Sequence, residues 1–107
     1  MLFLSVLCHI LGDPKYRQWG YEIFSSIRRV CRTEFAYAAV NDVRQPDGGG
    51  HRDSMESFFL AETLKYLYLL FSPRDKLDLE EFVLNTEAHP FRKFKTNSDR
   101  ADTAIII

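Results

Sequence analysis

Neither sign of charge dominates this chain of 107 residues, in which 14 lysines and arginines stand against 15 aspartates and glutamates, a formal net charge of −1. A near-neutral chain has no bulk attraction for nucleic acid or for an anionic membrane surface, so we expect no nucleic-acid partner. Glycine and proline are also scarce, at five and four residues, while 46% of the chain is hydrophobic. This composition excludes collagen-like, low-complexity and mostly disordered classes.

Long apolar runs are missing as well. Residues 1–11 are nearly all apolar, but a bilayer span needs about 20 residues, and this segment lacks the basic start and the cleavage site of a signal peptide. We interpret it as the end of a helix, with a signal peptide as the alternative. Gly12 can close that helix, Asp13 can cap the next one, and Pro14 suits its first turn.

The second helix is the clearest periodic element. Apolar residues recur every three or four positions from Tyr16 to Val30, which predicts a helix with one buried and one solvent-facing side.

Cysteine is rare, with two residues in the chain. In a hairpin of the first two helices, Cys8 and Cys31 would be offset by roughly 20 Å, beyond the ~7 Å limit of a disulfide. We therefore expect no bond between them.

The middle of the chain carries weaker signals. Residues 33–43 fit either a short extended piece or a turn of helix. Three consecutive glycines in residues 44–52 predict a solvent loop, and the alternative of a phosphate-binding loop lacks both the Walker lysine and the G-x-G-x-x-G spacing. Asp53 and Glu56 then have capping-box chemistry, which predicts that a helix begins there. Asp78 offers a similar cap-like start before Phe82.

Residues 55–71 form a helix that is apolar on nearly all sides, since 12 of its 17 residues are apolar. Such a helix is buried on most sides, which implies a larger core than 107 residues build easily. Within it, Phe58 and Glu62 share a face. Three interpretations of Glu62 are open: an ordinary surface acid, a partner of Lys65, or a carboxylate beside an aromatic platform for a sugar. By local chemistry, residues 85–90 form a turn.

These segments resemble a known family. Residues 55–71 (MESFFLAETLKYLYLLF), residues 85–90 (NTEAHP) and residues 12–24 (GDPKYRQWGYEIF) are similar, in order and spacing, to the C-terminal end of the class I α-1,2-mannosidases, glycoside hydrolase family 47. The resemblance implies an all-α fold, the C-terminal segment of an (α/α)7 barrel with a short β-hairpin plug. It assigns residues 1–91 to the catalytic domain and leaves residues 92–107 as a divergent, flexible tail.

The resemblance also implies a site. Thr86 would bind calcium through its hydroxyl and carbonyl oxygens, Glu62 and Glu87 would lie around the bound waters and the terminal mannose, and Phe58 would lie under the sugar ring. Calcium takes six to eight oxygen ligands, which suits such a site. Family members hydrolyse α-1,2-linked mannose from high-mannose N-glycans with inversion, in the lumen of the endoplasmic reticulum or Golgi, from a membrane-anchored parent whose anchor is not visible in this chain.

The resemblance also predicts what this chain lacks. The family's catalytic acid and the glutamate of its Arg-Pro-Glu motif lie upstream of the matching segments, and no Arg-Pro-Glu occurs here. We therefore expect no complete set of catalytic carboxylates, and a requirement for the missing N-terminal part of the barrel. The alternative is a non-catalytic helical module that binds mannose glycans or a protein partner.

Overall fold

The computed structural model describes residues 2–94, which form three α-helices and one two-stranded antiparallel hairpin. The helices are α1 (Leu2–Leu11), α2 (Lys15–Val30) and α3 (Lys65–Phe71), and the strands are β1 (Phe82–Leu84) and β2 (Pro90–Arg92). A π-helical segment, Phe59–Leu64, runs directly into α3, and a 3-10 turn, Arg74–Lys76, follows it. The predicted combination of helices and a short hairpin is confirmed. From residue 95 onward, the predicted tail lies outside the described residues.

The junction between α1 and α2 follows the sequence prediction. Gly12 has φ of +67°, and its N–H donates to the carbonyl of Cys8 at 3.0 Å. The Asp13 carboxylate accepts the N–H of Lys15, the first residue of α2, at 2.9 Å. Residues 2–11 are helical, as the interpretation of a helix end requires. Cys8 and Cys31 are both free, which confirms that they do not pair.

The core lies where α1 and α2 pack against α3. Cys8, Tyr16 and Leu70 form a buried cluster, with Leu7 packed beside it. Leu70 is fully buried, and Gly20 of α2 lies against its side chain. Each of the three helices contributes one residue to this cluster, and each helix packs against the other two.

The prediction of one buried side for α2 is confirmed only in part. Tyr16 and Gly20 are buried, whereas Trp19 is 48% exposed and Ile23 is 39% exposed. Further along the same helix, Phe24, Ile27 and Val30 are partly buried. Tyr68 of α3 is 57% exposed. Residues 2–94 therefore leave several large apolar side chains exposed, as the argument from residues 55–71 implied.

Two predicted starts are corrected by the structure. The helix begins at Ser57 instead of at the Asp53 cap, and the Ser54 hydroxyl donates to the Glu56 carboxylate at 2.8 Å. Asp78 does not start a helix. Its carboxylate accepts the N–H of Glu80 at 2.8 Å, and this turn leads into β1 because hairpin pairing with β2 holds the next residues extended.

The segment between α2 and the π-helix is irregular. Isolated bridges pair Arg32 with Tyr37 and Val40 with His51, which favours the extended alternative for residues 33–43. The loop predicted for residues 44–52 is confirmed, with positive φ at all three of its glycines. Within residues 2–94, no helix is both long enough and apolar enough to cross a membrane.

Candidate functional site

The candidate site centres on the loop of the hairpin, residues 85–89, which we call the 85–89 loop. β1 and β2 pair with Leu84 opposite Pro90, so this loop closes the hairpin. The Asn85 N–H donates to the His89 carbonyl at 3.1 Å, and the Asn85 side-chain oxygen accepts the N–H groups of Glu87 at 3.0 Å and His89 at 2.9 Å. Asn85 therefore organises the loop from within, as asparagine does in tight turns.

Two consecutive residues of α3 hold the loop from outside. The Lys65 ammonium donates to the Ala88 carbonyl at 3.0 Å, and the Tyr66 hydroxyl lies 3.4 Å from the Asn85 carbonyl, as its donor. Thr86 and Glu87 lie between these two contact points in the sequence. The structure thus brings the part of the chain that contains Thr86 and Glu87 against the helix that continues from Glu62.

Glu62 lies in the π-helical segment, partly buried and one turn before Tyr66. Burial, and secondly the negative charge of Glu62, raise the pKa of the Tyr66 phenol above its usual value. The suggested pairing of Glu62 with Lys65 does not occur, because the Lys65 ammonium reaches Ala88 instead. A π-helix, with its i to i+5 hydrogen bonds, often marks a functional segment; nothing in the spacing of residues 55–71 predicted one.

Thr86 and Glu87 are exposed, and the Glu87 carboxylate lies 3.8 Å from the His89 ring nitrogen. The carbonyl oxygens on either side of them are occupied: Asn85 accepts from Ala88 and Tyr66, Ala88 from Lys65, and His89 from Asn85. Among residues 2–94, the carbonyls of Thr86 and Glu87 accept no hydrogen bond. The loop therefore leaves two backbone oxygens free beside the Thr86 hydroxyl.

Phe58 lies in a different setting. It is 54% exposed and lines an apolar cleft of about 310 Å³ together with Ile27, Cys31 and Tyr37. Neither Glu62 nor the 85–89 loop lines this cleft. Sequence reasoning identified Phe58 but missed Lys65 and Tyr66 as loop anchors, because their partners lie 23 and 19 residues further along the chain and no local pattern links them.

Comparison with known proteins identifies the family. The profile of "Glycosyl hydrolase family 47" matches residues 4–93. The chain belongs to glycosyl hydrolase family 47. The recognition made from residues 12–24, 55–71 and 85–90 is confirmed.

Several members of family 47 are similar to this chain. It is 55% identical to mannosyl-oligosaccharide 1,2-alpha-mannosidase IB of Mus musculus over 73% of its length, and 49% identical to the endoplasmic reticulum mannosyl-oligosaccharide 1,2-alpha-mannosidase of Homo sapiens over 81%. The structure of an alpha-1,2-mannosidase from Trichoderma reesei superposes with a TM-score of 0.78, at 42% identity over 83% of this chain. The chain spans 12%, 13% and 19% of these three proteins.

The 85–89 loop of this family 47 chain has donors that fit a calcium ion. Calcium prefers oxygen ligands, and the Thr86 hydroxyl with the free carbonyls of Thr86 and Glu87 offers oxygens alone. Residues 2–94 contain no cluster of three histidine, cysteine or acidic side chains suited to a metal. A hard cation such as calcium can be held by few protein oxygens together with water.

Proposed function

We propose that this chain is part of a calcium-dependent α-1,2-mannosidase that removes α-1,2-linked mannose from high-mannose N-glycans with inversion. The observation that carries the proposal is the docking of the 85–89 loop on α3, which brings the loop that contains Thr86 to the helix that continues from Glu62. Membership of family 47 and the names of the similar proteins support it.

Each site residue has a role in this proposal. Thr86 would hold calcium through its hydroxyl and carbonyl oxygens, and the ion would supply a positive charge that fixes water and sugar hydroxyls in place. Glu62 and Glu87 would accept hydrogen bonds from those waters and hydroxyls. Phe58, half exposed and lining its own apolar cleft, would present a ring face to the sugar. These four residues bind and orient the substrate, and none of them is proposed as the acid or base.

The acid and base belong elsewhere in this proposal. Inversion needs two carboxyl groups about 6.5–9.5 Å apart, with room for a water between one of them and the sugar. The chain contains no Arg-Pro-Glu motif, the one that carries a carboxylate in this family. We place the catalytic pair in the rest of the parent protein, so that this chain alone is inactive.

The rest of the parent is also the proposed partner. The exposed apolar side chains of α2 and of the helix that ends at Phe71 would be covered by the N-terminal part of an (α/α)7 barrel, closed at one end by the hairpin. The residues concerned are Trp19, Ile23, Leu60, Tyr68 and Phe71. Covering them would stabilise this packing, since fully burying an exposed Leu, Ile or Phe side chain is worth about 1.5–3 kcal/mol and these side chains are about half exposed. The parent would act in the lumen of the endoplasmic reticulum or Golgi, held by a membrane anchor.

A hybrid enzyme tests the function. Residues 4–93 replace the corresponding segment of the Trichoderma reesei enzyme, and mannose release from α-1,2-mannobiose is measured with calcium. We expect the hybrid to release mannose, the hybrid with Thr86→Ala to lose most activity, and the isolated chain to release none. A folded but inactive hybrid would contradict the proposal, and turnover by the isolated chain would show that it contains its own acid and base.

The exposed apolar surface also favours a second candidate, a non-catalytic module that packs on another protein or binds mannose glycans. Calorimetry of the isolated chain with mannose separates the two functions. Saturable mannose binding by the chain, together with an inactive hybrid, would favour the non-catalytic module.

A further inference from the structure

We infer that Lys65 is a positioning residue that holds the 85–89 loop in its ligand-binding conformation, so that calcium affinity depends on a side chain that does not touch the ion. The inference rests on the proposed function for the calcium and on observed contacts for the positioning. The Lys65 ammonium is partly buried and donates to the Ala88 carbonyl at 3.0 Å. A hydrogen bond from a charged donor is roughly twice as strong as a neutral one.

The loop needs such a contact because its C-terminal half is strained. Ala88 has φ of +62° and is fully buried. A non-glycine residue in this conformation costs about 1 kcal/mol or more, and it persists only where the surroundings hold it. The Lys65 ammonium stabilises this conformation of Ala88 directly, since it donates a hydrogen bond to the Ala88 carbonyl.

The other external contact is weaker. The Tyr66 hydroxyl lies 3.4 Å from the Asn85 carbonyl, at the long end of hydrogen-bond distances. Thr86 and Glu87 are exposed and receive little support from packing. Of the two hydrogen bonds between the loop and α3, the one from Lys65 is therefore the shorter, and its donor is charged.

Charge works in the opposite direction. An ammonium near a divalent cation repels it, so removal of the lysine charge alone would tighten calcium binding. Positioning predicts the reverse, weaker binding without the ammonium, because the free carbonyls and the Thr86 hydroxyl would no longer be held together. The sign of the change in calcium affinity thus distinguishes positioning from simple electrostatics.

The experiment compares the full 107-residue chain with three variants. Lys65→Met removes the donor and the charge but keeps the aliphatic stem, Lys65→Arg keeps a charged donor, and Lys76→Met removes an exposed lysine from the turn after α3 as a matched control. Hydrogen exchange at the Glu87 and His89 amides is measured without calcium. The calcium dissociation constant is measured by titration calorimetry.

We expect Lys65→Met to speed exchange at both amides about tenfold and to weaken calcium binding about tenfold, the lower end of what supporting contacts contribute to metal sites. Lys65→Arg should restore most of both values, and Lys76→Met should change neither. Unchanged exchange in Lys65→Met, or tighter calcium binding, would overturn the inference. A third outcome is that the unaltered chain binds no calcium while Lys65→Met still speeds exchange. That result would contradict the calcium site of the proposed function and support the positioning contact.

Discussion

Gly20 in α2 lies directly against Leu70 in α3, and a methyl group at position 20 would occupy the space of the Leu70 Cδ2 atom. Leu70 is the fully buried centre of the cluster that joins the three helices, so it has little room to move aside. This contact sets the distance between α2 and α3. Because Lys65 and Tyr66 belong to α3, it also determines where these two loop anchors lie.

Gly20→Ala should destabilise the chain by about 1–3 kcal/mol, the usual cost of overpacking a core, although alanine favours a helix over glycine by up to ~1 kcal/mol. Urea unfolding followed by circular dichroism measures the change. Ser26→Ala, at an exposed position of the same helix, is the control and should be neutral or slightly stabilising.

A double-mutant cycle checks the cause. Leu70→Ala alone should cost about 2–5 kcal/mol. In the Leu70→Ala background, Gly20→Ala should cost much less than it does alone, since the two residues share one space. Equal costs in both backgrounds would show that Gly20 acts through something other than Leu70.

Under the proposed function, Thr86→Ala in the complete parent enzyme should weaken calcium binding and thermal stability together, because a ligand that binds the folded state stabilises it. At a calcium concentration of 100 times the dissociation constant, that gain is about 2.7 kcal/mol. Thr86→Ser keeps the hydroxyl and should retain most of the gain. Scanning calorimetry with and without calcium measures it, and an unchanged gain in Thr86→Ala would remove the Thr86 hydroxyl from the site.

Tyr66 should make the chain less stable at high pH. Its pKa is raised in the folded protein, chiefly by burial and then by Glu62. The unfolded phenol loses its proton near pH 10, whereas the folded phenol keeps it to higher pH. In that window the unfolded state binds fewer protons, so the free energy of unfolding falls as pH rises.

The raised pKa of Tyr66 is tested directly by following the absorbance change of tyrosine ionisation as pH rises. Tyr66→Phe should remove the component that titrates at the highest pH and flatten the loss of stability above pH 10. Tyr68→Phe, which alters an exposed tyrosine two residues away, is the control and should leave the Tyr66 component in place. Glu62→Gln should lower the Tyr66 pKa, and no change there would argue against the proximity of the two groups.

Ala88→Gly should be neutral or should stabilise the chain by up to about 1 kcal/mol, because glycine adopts the left-handed conformation without strain. Ala88→Val should destabilise it strongly, since Ala88 is fully buried and a branched side chain is incompatible with positive φ. Chemical unfolding of the two variants supplies the comparison. A Val variant as stable as the Gly variant would contradict the observed conformation.

Local features of the sequence predicted the parts of the fold that depend on neighbouring residues. The three- and four-residue spacing from Tyr16 to Val30 predicted α2, and the Gly12–Asp13 pair predicted its beginning. The cap predicted at Asp53 was wrong by a few residues, since packing and a π-helix decide where that helix begins. The capping pattern at Asp78 was misleading because Phe82 pairs with Arg92, ten residues further along the chain, and this hairpin pairing holds it extended.

By itself, the sequence determined the family and the candidate residues Phe58, Glu62, Thr86 and Glu87, because a motif is a property of residue order. The tertiary structure alone decided that Lys65 binds Ala88 instead of Glu62, and that the apolar side of α2 at Trp19 stays exposed. Both outcomes depend on which elements meet in space. A side chain 23 residues from its partner leaves no local pattern from which that contact could have been predicted.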